Sequence, residues 1–575
     1  KLIFYLKNIY FFHKMVFNKT HLNLMKNIFG GDNMKVKKVF AAVCTATLAA
    51  VALTACGKKD NSASGDQALT WMEKTELQTM DISKATDETS FNQLNNVYEG
   101  LYRLGKNSKV ENALATKTEE SKDGKRWTFT LRKGAKWSNG DPVTAKDFVY
   151  SWQRTVDPKT GSQYTSLFSG IENADEITKG KKSPSSLGIK AVGNYKLEVN
   201  LEHRIPYFKL LMGFPLFFPQ NQKTVEKSGS SYGTASKYQV YNGPFVQKGW
   251  TGSNLKWKLV KNDSYWDKKD VKLKSIDYSI QKTPTTAYNL YQSGKLDAAV
   301  LDAQGTKQLK NQTGYTIRKK ASTQYLSYNM AKRPEFKNTK LRQAISMAID
   351  RKALANALGG ANQAAKTFTA PGIVDVNGKD YVDYVETPKA EAYMKHNPKK
   401  ARELYKEALK ELGKSSLTFN LLGYDDDTSK KATETLQSQL EDSLKDVNVH
   451  VQNIPKKTAI DRMVSGNFDV SFSGWSGDFA DPITFLDLET PDNAMNFGKW
   501  NNEKYNDLLA DSKTTGDVNK RNKDLENAEK ILLEEQGVSP LFHQQEAWMV
   551  KPSVKGVIYN GAGASYNFKH AYVAK

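Results

Sequence analysis

Cysteine is nearly absent from this chain of 575 residues, which has only Cys44 and Cys56. Because Cys44 lies in an apolar leader, no pair remains to form a disulfide, and a disulfide-stapled scaffold is excluded. No HExxH, Walker A or dinucleotide-binding motif occurs. Histidine is scarce, and the residues beyond position 55 are not paired at metal-ligand spacing: His203, His396, His450, His543 and His570. We therefore expect neither a metal nor a cofactor.

Acidic residues are outnumbered, with 62 Asp and Glu against 84 Lys and Arg, giving a formal charge of +22. The first 55 residues contain eight Lys and one Asp, so the remainder carries +15. The Lys residues are spread out, without an Arg-rich arm or zinc-finger spacing, so nucleic acid is not an expected partner. Attraction to an anionic cell envelope is favoured, and an adhesive role remains open.

The apolar run near the start of the sequence is too short for a membrane span. A basic segment, residues 34–38, precedes an apolar run from Val39 to Leu53 and the sequence Leu-Thr-Ala-Cys that ends at Cys56. This order is typical of a secretory signal peptide, and the run falls short of the roughly 20 residues of a membrane span. A cleavage site ending in Cys resembles the lipobox of bacterial lipoproteins. We expect residues 34–55 to be a signal peptide and Cys56 to be acylated, for example with palmitate. The protein would then be anchored to the extracellular face of the cell membrane, as in Gram-positive bacteria.

The segments on either side of this leader are expected to lie outside the fold. Residues 1–33 are rich in Lys, Asn, Phe and Ile. Residues 30–33 read Gly-Gly-Asp-Asn, which a translated ribosome-binding sequence would encode, so we expect translation to start at Met34. Residues 56–66 are polar and predict a flexible spacer.

Hydrophobic periodicity predicts alternating strands and helices. Trp127, Phe129 and Leu131 alternate with Thr, as in a half-buried strand. Thr144 and Asp147 have the spacing of a capping box before a helix. Further on, Asn397-Pro398 predicts a helix start, and Gly413 its end. The order that follows is a strand at 417–422, a helix through 432–444, a strand at 447–451 and another at 468–472. Such succession favours α/β layering with parallel pairing.

Seven sequence blocks are similar to family 5 extracellular solute-binding proteins, the oligopeptide- and dipeptide-binding components of ABC importers. The longest is LRKGAKWSNGDPVTAKDFVYSWQR at 131–154. The others, in order, are VYEGLYR at 97–103, NDSYWD at 262–267, YQSGKLDAAV at 291–300, LRQAISMAIDRKAL at 341–354, NPKKARELYKEA at 397–408 and FDVSFSGWSGDFADP at 468–482.

The resemblance implies an α/β fold: a two-lobed clamp, like the periplasmic binding proteins, with an additional subdomain. It implies a non-enzymatic monomer that binds oligopeptides and passes them to the permease subunits of an ABC transporter. The expected boundaries divide the chain into three parts: lobe I from 67–98, 238–321 and 544–575, the additional subdomain from 99–237, and lobe II from 322–543.

The resemblance also implies a peptide site. The block Ser473, Gly474, Trp475, Ser476, Gly477 and Asp478 matches the family segment beside the peptide backbone. In that match Asp478 pairs with the peptide's ammonium, although Gly477-Asp478 is also a common Asx-turn pair. Asp87 and Glu88 match a loop on the opposite lobe. Tyr325 matches a position near the cleft, but a lone Tyr is more often a core residue.

Two departures from the family leave the ligand open. Phe472 stands where one branch has an Arg that binds the peptide carboxylate, and Lys456 stands where that branch has a Trp. Longer peptides or another carboxylate anchor are therefore expected. Relatives also bind signalling peptides, haem or nickel chelates. A peptidase using Asp478 and Asp481 is not expected, because no nucleophile and base accompany them.

Overall fold

The computed structural model describes residues 67–373, 379–383, 385 and 388–575. The segment 1–33, the signal peptide 34–55, Cys56 and the spacer 56–66 lie outside these residues. In the described part of the chain, no helix is long and apolar enough to cross a membrane.

The described strands are β1 Ala68–Glu73, β2 Tyr102–Leu104, β3 Val110–Asn112, β4 Ala115–Glu120, β5 Arg126–Leu131, β6 Ile189–Ala191, β7 Lys196–Asn200, β8 Phe245–Lys248, β9 Lys256–Lys261, β10 Ser275–Ile280, β11 Ala298–Val300, β12 Tyr315–Tyr328, β13 Gln363–Ala364, β14 Leu417–Tyr424, β15 Val447–Ile454, β16 Val470–Ser476, β17 Val538–Val550, β18 Val554–Lys555, β19 Ile558–Tyr559, β20 Tyr566–Asn567 and β21 Tyr572–Val573.

The described α-helices are α1 Glu88–Val97, α2 Ala145–Val156, α3 Ala174–Thr178, α4 Phe208–Leu211, α5 Gln222–Ser228, α6 Pro284–Gln292, α7 Ala303–Leu309, α8 Thr339–Ala348, α9 Arg351–Leu358, α10 Pro388–Met394, α11 Pro398–Glu411, α12 Asp427–Ser443, α13 Lys456–Val464, α14 Ile483–Leu486, α15 Glu503–Thr514 and α16 Val518–Glu534.

Local sequence signals explain several of these elements. The capping box of Thr144 and Asp147 is present at the start of α2. Asn397 caps α11, since its side chain accepts the Lys400 N–H, and Pro398 occupies the first turn, where no N–H is needed. Trp127, Phe129 and Leu131 are buried in β5. The predicted helices and strands between 397 and 472 are confirmed, except that β16 begins at Val470 rather than at 468.

Three larger sheets organise the described chain. One has the order β1-β10-β9-β8, and a second, β4-β5-β7-β6, lies within residues 115–200. The largest has the order β11-β17-β12-β16-β14-β15, with β13 added on β17. In this sheet β14 pairs in parallel with both β15 and β16, as the sequence predicted.

Strands β12 and β17 are the longest strands of the largest sheet, with 14 and 13 residues. Their antiparallel pairing is interrupted between Lys319 and Thr323. Before the interruption β17 also pairs with β11, and after it β12 pairs with β16. The predicted crossings between lobes, at 321/322 and 543/544, fall near this irregularity. The lobe boundaries themselves remain a prediction.

The end of the chain packs back on its beginning. Trp71 of β1 stacks on Trp548, with ring centroids 6.3 Å apart, and meets the edge of Phe568 at 5.0 Å. The Gln67 side chain exchanges two hydrogen bonds with the backbone of Val573. These contacts join segments that lie hundreds of residues apart in the sequence. The first sheet and the C-terminal segment therefore form one packed unit.

Candidate functional site

The second half of β16 has an open edge. On one side all seven of its residues pair with β12, from Ser476 opposite Ser322 to Val470 opposite Tyr328. On the other side β14 pairs only with Val470 and Ser471. In the described chain, no strand therefore covers Ser473–Ser476 on that side. An uncovered edge presents N–H and C=O groups that can pair with an added strand.

The end of the Gln324 side chain, on the neighbouring strand, lies close to Gly474. A Cβ there would lie 2.3 Å from the Gln324 amide nitrogen, across from it on β12. Gly474 and Ser476 are exposed, whereas Ser473 is buried and its hydroxyl lies 2.9 Å from that of Ser471. The half-buried Trp475 has a buried indole N–H with no hydrogen-bond partner among the described residues.

Asp478 lies two residues beyond the end of the open edge. Its carboxylate accepts a hydrogen bond from the Tyr164 hydroxyl at 3.2 Å, and its backbone N–H donates to the Thr484 hydroxyl at 3.2 Å. Within the described chain no basic side chain forms an ion pair with it, and it accepts no backbone N–H, so the Asx-turn alternative is not what is seen. Burial raises the pKa of Asp478, and the Tyr164 hydrogen bond offsets only part of that rise, so the pKa is about 6. The site therefore has a half-buried carboxylate without a counter-ion among the described residues.

Segments distant in sequence enclose this carboxylate. The Gly563 N–H donates to the Gly477 carbonyl at 3.0 Å, and the Tyr207 ring stacks on Phe479 with centroids 5.2 Å apart. A Cβ on Gly563 would lie 2.7 Å from the Asp478 carbonyl oxygen, so a larger residue would prevent this approach. Contacts from residues 164, 207 and 563 thus converge on Gly477–Phe479.

The opposite loop contributes less directly. Asp87 caps α1, accepting the Ser90 N–H at 2.9 Å and the Ser90 hydroxyl at 2.6 Å. Glu88 pairs with Lys320 at 2.7 Å and accepts the Ser565 hydroxyl at 2.9 Å. Phe91 of the same helix meets the Tyr164 ring at 5.9 Å. The carboxylates of Asp87 and Glu88 therefore already have partners within the protein, and α1 reaches Asp478 only through Phe91 and Tyr164.

An ion-pair cluster lies beside the irregularity in β12. Lys320 contacts both Glu88 and Glu546, at 2.7 and 3.6 Å, and Lys74 also pairs with Glu546. Burial alone would raise the pKa of Glu546, but the two Lys residues hold it at about 2. The cluster joins α1 to both crossing strands with opposite charges balanced.

The remaining predicted residues occupy distinct surroundings. Tyr325 is buried opposite Ser473, with its ring 5.0 Å from Phe368. Phe472 is also buried and lies 6.4 Å from the Phe542 ring. Lys456 is exposed, with its ammonium 5.7 Å from the Tyr424 ring.

The enzyme alternative required two cooperating carboxylates. Asp481 instead forms a bidentate ion pair with Arg521, with N···O distances of 2.9 and 2.8 Å. The two carboxylates therefore have different environments, one neutralised by Arg521 and one with only a hydroxyl. Among the described residues, no group of three or more His, Cys, Asp and Glu side chains is placed to hold a metal ion.

Sequence reasoning missed three residues that shape this site: Tyr164, Thr484 and Gly563. Thr484 lies two residues beyond the sequence block that ends at Pro482, so its proximity to Asp478 could have been predicted from the sequence. Tyr164 and Gly563 lie in loops far along the chain, and only the tertiary fold brings them to Asp478.

Comparison with known proteins identifies the family. The model of bacterial extracellular solute-binding proteins, family 5 Middle, matches residues 109–497. A dipeptide-binding protein of Lactococcus lactis subsp. cremoris is 36% identical over 557 residues, covering 94% of this chain and 100% of that protein. The structure of Listeria monocytogenes OppA bound to peptide has a TM-score of 0.74 and 37% identity, covering 89% of this chain and 100% of the other. The peptide-binding pheromone receptor PrgZ has a TM-score of 0.75 and 36% identity, with the same coverage.

The chain belongs to family 5 of the bacterial extracellular solute-binding proteins. This membership confirms the resemblance inferred from the seven blocks, and the structural similarity confirms the two-lobed α/β clamp. The additional subdomain remains a prediction. The family consists of binding proteins rather than enzymes.

Proposed function

We propose that this protein is a lipid-anchored extracellular receptor that captures oligopeptides and delivers them to an ABC importer. The observation that carries the proposal is the open edge Ser473–Ser476, which leads to the uncompensated carboxylate of Asp478. Relatives whose names state peptide binding support the ligand class.

The two features suit the parts that every peptide shares. An extended peptide added to the edge of β16 gains backbone hydrogen bonds that do not depend on its sequence. Four residues of edge extend about 13 Å. The peptide's ammonium would then meet Asp478 and supply its counter-ion. Trp475 would border a side-chain pocket, and its unpaired N–H would donate to the ligand.

The remaining predicted roles form part of the same proposal. Tyr325 would line the cleft beneath the peptide. Asp87 and Glu88, at the start of α1, would move toward the peptide with that helix when the lobes close. Closure of lobe I with the additional subdomain over lobe II would remove water and strengthen these polar contacts. The similarity to a pheromone receptor makes a signalling peptide the second candidate ligand.

Ligands that co-purify with the protein provide the first test. Mass spectrometry should find peptides, and finding haem or a metal chelate in their place would redirect the proposal.

Peptide titration provides the sharper test of edge pairing. Methylating one backbone amide at a time in a free-amine alanine pentapeptide should give an alternating pattern, because every second amide faces β16. Each methyl group that blocks a hydrogen bond should weaken binding roughly tenfold. The measurement is isothermal titration, and a uniform response along the peptide would contradict pairing with β16.

Lipid anchoring is tested at Cys56. The variant Cys56→Ser should lose the acylated thiol and appear in the medium or as uncleaved precursor, whereas the wild type should partition into detergent. Cys44→Ser is the matched control, because it removes a thiol inside the predicted signal peptide and should not alter anchoring. Detergent-dependent membrane attachment of Cys56→Ser would contradict the lipobox assignment.

A further inference from the structure

The segment after α14 contacts one of the strands that form the peptide edge. Gly498 accepts the Met330 N–H at 2.9 Å, and a Cβ on Gly498 would lie 3.1 Å from the Ser327 hydroxyl. Ser327 and Tyr325 are two residues apart on β12, so their side chains share a face. Tyr325 and Ser473 are directly opposite each other and also share that face. Gly498 therefore lies beside residues 327–330, at one end of the face that carries Tyr325 and Ser473.

This segment contains a buried acid without a partner. Glu489 is 1% exposed, and its carboxyl oxygen Oε2 is buried without a hydrogen-bond partner among the described residues. The side-chain oxygen of Asn496 is likewise buried without a donor, although its amide group donates to the carbonyls of Glu489, Thr490 and Trp500. Two buried acceptors thus lack donors in one short segment, and such groups are costly unless a ligand or water completes them.

The electrostatic surroundings of Glu489 also indicate that it lacks a partner. Burial raises the pKa of Glu489, and the exposed Lys499 offsets only part of that rise, so the pKa is about 8. In the described chain no Lys, Arg or His forms an ion pair with Glu489. A cation brought by a ligand would supply both the donors and the missing charge.

The acid adjoins the open edge through two tyrosines. Glu489 interacts electrostatically with Tyr325, which also interacts with Tyr424. Tyr424 ends β14, just past the point at which β14 stops pairing with β16. Because side chains of an added strand alternate between faces, those on the Tyr325 face would enter the space between these residues.

We propose that Glu489, with Asn496, binds the cationic side chain of a Lys or Arg residue in the captured peptide. The inference rests on the proposed peptide-binding function and adds a side-chain preference to it. Such binding would make the receptor select basic peptides at one position while remaining tolerant at others.

A lysine scan tests the proposal without altering the protein. Alanine pentapeptides with a free amine would carry Lys, or its uncharged equivalent norleucine, at each of positions two to five. One position should favour Lys roughly tenfold to a hundredfold in isothermal titration, the range of a charged hydrogen bond. At that position Arg should likewise bind more tightly than citrulline.

The variant Glu489→Gln should abolish the preference while leaving the alanine peptide's affinity within about twofold. Glu503→Gln is the control, since it removes the same charge from an exposed position on α15. A Lys preference at no position, or one that survives in Glu489→Gln, would overturn the inference while leaving peptide capture intact. If the all-alanine peptide itself fails to bind, the proposed function fails and this inference fails with it.

Discussion

Replacing Asp478 with Asn should weaken the binding of free-amine peptides at least a hundredfold. Asn keeps the size of the side chain and can still accept the Tyr164 hydrogen bond, but it cannot neutralise an ammonium. Leaving one member of a buried charge pair without its partner costs on the order of 3–5 kcal/mol, which exceeds a hundredfold in Kd. Isothermal titration with an alanine pentapeptide measures the effect.

A double cycle separates this interaction from general damage. Acetylating the peptide's amine removes the same charge pair from the ligand side, so the two changes should not add. Asp478→Asn should therefore affect an acetylated peptide only slightly. Asp492→Asn is the matched control, since Asp492 is an exposed acid in the segment that follows. Equal penalties for both ligands would show that Asp478 does not hold the ammonium.

Stability provides an independent check on the same variant. The folded pKa of Asp478 is raised above its ordinary value, so the folded protein holds this proton more tightly than the unfolded chain. Stability is then lost as pH rises through about 6 and the buried carboxylate ionises. Asn avoids that cost, so the unliganded variant should be more stable at pH 7 by on the order of 1–3 kcal/mol. Thermal unfolding of the variant and wild type at pH 7 and pH 4 would show the difference shrinking at the lower pH.

The elements that the sequence predicted share a reason for their success. Trp127, Phe129 and Leu131, and the helix from Pro398, follow local rules of periodicity and capping that hold wherever the segment lies in the fold. Parallel pairing of β14 with its neighbours followed from the strand–helix–strand order alone. The capping role of Asp87 also had a local signal, because Asp is among the residues preferred at a helix N-cap.

The missed parts depend on contacts between distant segments. Tyr164 reaches Asp478 across 314 positions, and no periodicity marks such a pair. Glu489 ends a short 3-10 helix just before a polar stretch, where an acid is ordinarily solvated. Its burial arises because the segment folds over β12, a tertiary event. The open edge of β16 was equally hidden, since it depends on where β14 diverges.

Peptide affinity should fall steeply in acid, because Asp478 must be ionised to pair with an ammonium. Burial places the pKa of the unliganded carboxyl at about 6, and a bound ammonium would lower it. Below pH 6 the proton must therefore be released on binding, and affinity should decrease by up to tenfold per pH unit. Relative to pH 7, we expect a loss of about a hundredfold at pH 4. Above about pH 8 the peptide's own amine loses its proton, so the profile should be bell-shaped.

The choice of ligand isolates Asp478 from other titrating groups near the cleft. The hydroxyl of Tyr164 stays neutral across this range, because burial and the adjacent carboxylate raise its pKa. Glu489 has a pKa raised to about 8, so an alanine peptide, which brings no side-chain cation to it, is the appropriate probe. Isothermal titration from pH 4 to pH 9 should show a steep acid limb for wild type and a flat one for Asp478→Asn and for the acetylated peptide. A wild-type affinity that stays constant from pH 7 to pH 4 would mean that no proton leaves Asp478 on binding, and the ammonium would have to be held by another group.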